Sequence, residues 1–272
     1  MIIGVDIGGT KTLVASFKNN TIDREDRFVT SPDSEKFLAD LMPLIASHAK
    51  RQRLEAISVA APGIIDHHRG TVVRCGNLPW RDIPLRKVLK EAFDCPVFIE
   101  NDANLAGLAE AHAMHPLPRS CLFLTVSTGI GSGIIINGRI LPALSGSEAG
   151  HMMLRRSDGS HRQWQQYASG KALYERTGHM AYELESGRAW HEEASRVADG
   201  LLALIPTLQP SVVVIGGSIG AQLDIRWREP LEQILRDKMP HYIDIPPILQ
   251  AGQPKDAVLY GCNIYAKEHL SA

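Results

Sequence analysis

The 272-residue chain is long enough to bury one large core or two medium ones, and its 44% hydrophobic and 22% charged residues are ordinary for a globular protein, which excludes disorder along its length. With 29 basic against 30 acidic residues, no global field draws it to nucleic acid or an anionic membrane. There is no bilayer-spanning apolar run, no secretory leader pattern and no Cys-x-x-Cys pair among Cys75, Cys95, Cys121 and Cys262, which predicts a cytoplasmic protein with reduced thiols.

The opening "MIIGVDIGGTKTLVASF" predicts strands over 2–5 and 12–17, with Gly8 and Gly9 in a tight reversal between them. Phe37, Leu38, Leu41, Leu44 and Ile45 recur at helical spacing over 35–50. "AISVAAPGIID" reads as a buried strand broken at Pro62 and Gly63, after which "TVV" adds an edge strand. A helix over 84–93, the strand "PVFIE" at 96–100 and a helix from Asp102 to Met114 follow, and Pro116 and Pro118 mark a domain boundary. Strands over 121–126 and 131–136, parted by a second Gly-rich turn, then repeat the opening order. Helical patterns near 163–176, 189–208 and 229–238 surround the strand "SVVVIGG" at 211–217, and a last helix is expected from Ala257 to His269. Two related α/β lobes result, each with a backbone-lined turn.

In "DIGGTK", amides near Gly8, Gly9 and Thr10 can hold phosphate oxygens, Asp6 can organise hydrated magnesium and Lys11 can neutralise charge. The same residues equally make a plain hairpin; the Walker A spacing is absent. Ser127, Thr128, Gly129 and Gly131 offer hydroxyls and close amides at the second turn, and "GGS" at 216–218 follows a third apolar strand. Asp102, where a strand gives way to a helix, can accept the proton of an attacking alcohol or cap the helix, and Asn101 can read a sugar hydroxyl or close the strand. Glu100 is an alternative magnesium ligand. Glu148 and His151 suit neighbouring sugar hydroxyls, whereas His161 and His179 lack the spacing of a zinc site. Trp80 and Trp164 belong to cores or pack on sugar faces.

Taken together, "DIGGTK", "APGIID", "GNLPW", "NDANLAGLAE", "STGIGSG", "SEAGH", "YASG" and "VVVIGGS" resemble, in order and over most of the chain, the signatures of the ROK family of sugar kinases and related repressors. That resemblance implies an α/β, actin-like ATPase (ribonuclease-H-like) fold of two lobes with ATP and sugar in an interdomain cleft. It implies a smaller domain over 1–118 completed by a helix at 257–272, and a larger domain over 119–256 that carries the interface of a homodimer or homotetramer. By the same resemblance Gly8, Gly9, Thr10, Lys11, Thr128, Gly129 and Gly131 approach the ATP phosphates, Asp6 positions Mg2+ through water, and Gly216 and Gly217 lie on the adenosine side. Asp102 is the implied catalytic base, and Gly63, Asn101, Glu148 and His151 are implied sugar contacts.

This sequence departs from the family at "GSHRQWQQYASG", where the three zinc cysteines are missing and Gln165 takes the place of a glutamate, so no structural zinc is expected. The strand at residue 2 leaves no room for the DNA-binding segment of the repressors, which favours an enzyme over a DNA-bound regulator. Ser127 resembles the N-acetylmannosamine kinases within the family. Glucose, fructose and N-acetylglucosamine stay open as acceptors, as does a catalytically silent sugar sensor.

Overall fold

The computed structural model describes residues 1–49, 52–156, 158–252 and 256–271. Contacts divide the chain into two compact units, Met1–Ala109 with Lys255–Ala272, and Glu110–Pro254, so that a continuous helix upstream of Pro116 carries the chain from one to the other.

In the first unit β1 (Ile2–Ile7) and β2 (Lys11–Lys18) pair antiparallel, with Ile7 opposite Thr12 and the glycines in the reversal between them. The next strand, β3 (Thr21–Val29), was not expected from the sequence: it continues antiparallel on β2, and every second residue is exposed. In α1 (Ser34–Ala49) the predicted stripe of Phe37, Leu41 and Ile45 is buried against the sheet, and Asp33 Oδ1 accepts the amides of Glu35 and Lys36 at its start. The wholly buried β4 (Ala56–Ala61) lies parallel to β1.

After the break at Pro62 and Gly63, β5 (Ile64–Asp66), β6 (Thr71–Arg74) and β7 (Arg81–Ile83) form a separate antiparallel sheet. The "TVV" stretch is therefore a middle strand with Val72 between Ile65 and Ile83, not an edge strand. Apolar residues on both neighbours supply the burial that its composition requires. A short amphipathic α2 (Leu85–Phe93), ended by Asp94 in the left-handed region, leads to β8 (Val97–Asn101), which runs parallel to β4. The main sheet has the order β3-β2-β1-β4-β8.

Helix α3 (Asp102–Ala113) opens at the end of β8, and β9 (Ser120–Val126), β10 (Ile130–Ile136) and β11 (Arg139–Ile140) begin the second sheet. A hairpin of β12 (Met153–Arg155) and β13 (His161–Gln163) precedes α4 (Gln165–Ala168), α5 (Gly170–Thr177) and the long α6 (Gly187–Leu208). Then come β14 (Val212–Gly216), α7 (Gly217–Gly220), α8 (Arg228–Lys238), β15 (Ile248–Gln250) and α9 (Ala257–Leu270).

The second sheet, β11-β10-β9-β14-β15, repeats the first strand for strand, with two antiparallel and two parallel pairings in each. Its core holds Trp164, Trp190 and Trp227, the latter two stacked with centroids 6.3 Å apart. Trp164 lies against Gly200 of α6 with no space between them for a Cβ, and its indole donates to the Arg196 carbonyl at 3.0 Å. Trp80 is likewise core, donating to the Pro32 carbonyl at 3.1 Å, so neither tryptophan offers a face to sugar. Helix α9 packs on β1 and β4. All four cysteines are buried and free.

Candidate active site

Parallel pairing decides where the acidic residues of the first unit meet. Asp6 stands opposite Ala60, Ala60 opposite Glu100, and Ala61 opposite Asn101, so the carboxyl ends of β1, β4 and β8 share one sheet edge. Burial pushes the Asp6 carboxyl up to about 7, the nearby Asp102 charge adds to the rise, and Lys11 opposes it. Burial also raises Asp102, against the pull of the Ala103 amide 2.8 Å from its Oδ1.

That amide is shared with Asn101 Oδ1 at 2.9 Å, while Asn101 Nδ2 donates to the Gly63 carbonyl at 3.4 Å. Gly63 has φ +89, and a Cβ there would come within 2.9 Å of the Cys75 Cα, so the turn that meets Asn101 needs glycine. Thus Asp6, Gly63, Asn101 and Asp102 are brought together. Glu100 points into the protein instead: its Oε1 accepts from the Asn101 amide at 2.8 Å and Asn104 Nδ2 at 2.9 Å, its Oε2 is 3.7 Å from His67 Nδ1, and the Tyr265 hydroxyl bonds to it. Burial raises this carboxyl as well, and its partners make it an anchor for the Asn101–Asp102 turn.

The first Gly-rich turn is closed by the Gly8 amide on the Lys11 carbonyl at 3.0 Å and tied to the end of β3 by the Thr30 amide on the Thr10 carbonyl at 3.0 Å. Gly9, Thr10 and Lys11 are exposed. Among the described residues no three His, Cys, Asp or Glu side chains gather to hold a metal. Asp6 and Asp102, two half-buried oxygen donors, fit a hard cation that keeps most of its water, the habit of magnesium.

In the second unit the turn from Ser127 to Gly129 is closed by the Ser127 amide on the Gly129 carbonyl at 2.9 Å, and it leaves Thr128 exposed. Gly131 follows in β10, opposite Thr125. Gly216 also lies opposite Thr125, on the other side of β9, and Gly217, with φ +82, sits so close to Val126 that a Cβ would meet its carbonyl oxygen at 2.5 Å. The Ser127 and Ser218 hydroxyls are 3.4 Å apart. The two Gly-rich turns of this unit are therefore side by side, with Ser218, the serine of "GGS", as a bridging residue that the sequence does not single out.

Gln165 Oε1 accepts from the Ile130 amide at 3.4 Å and lies where a Cβ on Gly129 would be 2.8 Å away. Its Nε2 is 3.4 Å from both ring nitrogens of His151, whose Nδ1 is 3.1 Å from Gln163 Oε1. Glu148 is half-buried at the start of the turn whose last residue is His151. Gln163 is a second missed residue; only the β12–β13 register, with Gln163 opposite Met153, brings it beside His151. His161 and His179 are exposed.

The chain matches the ROK family over residues 2–269. It belongs to that family. It is 27% identical to an N-acetylmannosamine kinase of Yersinia pestis over 98% of this chain and 99% of the relative. The crystal structure of a ROK hexokinase from Thermus thermophilus superposes with a TM-score of 0.82 at 29% identity, over 99% of both chains. A ROK family glucokinase from Streptomyces griseus, solved in complex with glucose and AMPPNP, gives 0.80 at 25% identity over 98% of this chain and 99% of that one. The fold is the actin-like ATPase fold of ROK sugar kinases, and the protein is an ATP-dependent carbohydrate kinase. Among the described residues no helix of this ROK protein is long and apolar enough to cross a membrane.

Proposed function

We propose that this ROK kinase transfers the γ-phosphoryl group of magnesium ATP to the C6 hydroxyl of a hexose or N-acetylhexosamine, with N-acetylmannosamine as the preferred acceptor. The observation that carries the reading is Asp102: a half-buried carboxyl, raised by burial, on the same edge as Asp6 and next to an Asn101 held by Gly63. Asp102 takes the hydroxyl proton as O6 attacks the γ-phosphorus, and the bond from that phosphorus to the β-phosphate bridging oxygen breaks to release ADP. Asn101, Gly63, Glu148, His151 and Gln165 orient the sugar. Gly8 to Lys11 with Thr128, Gly129 and Gly131 hold phosphate oxygens, and Gly216 and Gly217 take the adenosine side. Asp6 would hold magnesium through water, and the bound ion would supply the positive charge that offsets the phosphates.

Ser127 and the full-length likeness to an N-acetylmannosamine kinase support the choice of acceptor. We further place the enzyme in the cytoplasm as a homodimer or homotetramer. The test is magnesium-dependent turnover of N-acetylmannosamine, N-acetylglucosamine, glucose, mannose and fructose, with the phosphorylated position mapped. Glucose or fructose turned over far faster than N-acetylmannosamine reverses the substrate choice, and no turnover of any sugar points to a sugar sensor.

A further inference from the structure

The two sheets end differently. In the second, the edge strand β11 has two residues; in the first, the edge strand β3 has nine, and among the described residues it pairs only with β2. A long open edge invites pairing unless something blocks it. The charges on β3, Asp23-Arg24-Glu25-Asp26-Arg27, mix both signs instead of repeating one sign. Beside the strand a groove of about 690 Å³ opens toward α1, lined among others by Asp26, Phe28, Lys36, Asp40, Pro43 and Leu44.

We propose that β3 is the docking surface for a second copy of this chain, the two β3 strands pairing antiparallel about a two-fold axis centred on Glu25. Such an axis stands perpendicular to the sheet and keeps each face on its own side, so only registers centred on a residue are allowed. Centred on Arg24, the seam sets arginine against arginine and Asp23 against the partner's Glu25. Centred on Asp26, it gives two Glu25–Arg27 pairs but sets aspartate against aspartate. Centred on Glu25, it sets Arg24 opposite the partner's Asp26 and Asp23 opposite the partner's Arg27, each twice, against one Glu25–Glu25 contact.

Both inner residues are already turned to the α1 side. Arg24 Nη2 is 2.6 Å from Asp26 Oδ2, Arg24 Nη1 donates to the Ser47 carbonyl at 3.2 Å, and His48 Nε2 is 2.9 Å from the Asp26 carboxylate. The seam joins these two internal pairs into a four-charge network and aims the partner's Arg24 at the groove that Asp26 and Asp40 line. Asp23, left without a β2 residue opposite it by the register shift at Ser16–Phe17, gains the partner's Arg27. A seam of one strand from each copy is smaller than a standard interface, so association in the micromolar range is expected.

Analytical ultracentrifugation of the full chain, from low micromolar to several hundred micromolar, tests the seam. Asp23→Arg is expected to weaken association about 10-fold or more by facing arginine with arginine, Asp23→Arg with Arg27→Asp to restore it, and Glu25→Gln to tighten it several-fold. These residues lie outside the catalytic machinery, so turnover and melting temperature should stay at parental values and identify a folded protein. The proposal is overturned by a parent that shows no association across the range, by an association constant that Asp23→Arg leaves unchanged, or by a double variant no better than the single. A Glu25→Gln variant that does not tighten overturns the register.

Discussion

The turn after β1 and the turn after β9 are the same hairpin in two chemical versions. Each joins the first antiparallel pair of a five-stranded sheet, and each is closed by an amide-to-carbonyl bond across the reversal. Around the first stand Asp6, Lys11 and Asp102, where burial and mutual repulsion hold Asp6 near neutrality. Around the second stand Ser127, Thr128, Ser218 and Gln165, with no carboxylate or ammonium in the turn itself. The strand matching β8 is β15, and where β8 runs into Asn101 and Asp102, β15 runs into Ala251 and Gly252. Repetition of the sheet thus repeats the hairpin, and the carboxylates and lysine around the first turn have no counterpart in the second turn itself. Charge-changing substitutions in the first unit should act on the chemical step, whereas substitutions in the second should act on binding or stability.

The largest effect is expected from Asp102→Asn, which keeps shape and the hydrogen bond from Ala103 but not the proton acceptor. Turnover should fall about 10²- to 10⁴-fold, with nucleotide affinity and melting temperature near the parent. Single-turnover phosphoryl transfer at saturating sugar and magnesium ATP measures it, and near-parental transfer would remove Asp102 from the base role.

Asp6→Asn comes next, with turnover down about 10- to 100-fold and a higher magnesium requirement. It also changes the pH dependence of stability. The folded carboxyl sits at about 7 against an ordinary 3.8, so between those values the folded state holds more protons than the unfolded one. In magnesium-free buffer the parent should lose stability as pH rises from about 4 to about 7 and level off above that. The variant should lack the Asp6 part of this slope, which denaturant titrations across the window will show.

Gly217→Ala probes the neutral copy. At φ +82, with the Val126 carbonyl oxygen 2.5 Å from the added methyl, it should cost about 1–3 kcal/mol in chemical denaturation. The smallest effect belongs to Gln165→Ala, expected to raise the sugar KM about 3- to 10-fold at nearly unchanged turnover, since it removes a neutral hydrogen-bonding group beside His151. A collapse of turnover in this variant would break the division between the two copies.

The elements legible in the sequence are those whose burial leaves a pattern: β1, β2, β4, β9 and β14 as apolar runs, α1 and α6 as helical stripes, and Asp102 as a carboxylate at a strand-to-helix junction. Strand β3 escaped because "TIDREDRFV" has no apolar face. Its only signal is alternation itself, a period of two carried by exposure and not by hydrophobicity. The partnership of Gln163 with His151 depends on the register of a three-residue hairpin, and the Glu100–His67–Tyr265 cluster joins residues from distant parts of the chain. Neither leaves a local trace. Gln165 was visible as a departure from a motif, but its grip on Ile130 needed coordinates.

The contact between Gly200 and Trp164 has a consequence for how the surroundings of Gln165 can evolve. Trp164 is the residue before Gln165, and any side chain at position 200 must move that indole. A single base change in a glycine codon therefore reaches Gln165, and the His151 ring beside it, by shifting the backbone that carries Gln165. Laboratory selection for a new sugar should recover replacements at position 200 together with compensating smaller residues at 164, a correlated pair that screening of pocket residues alone would never sample.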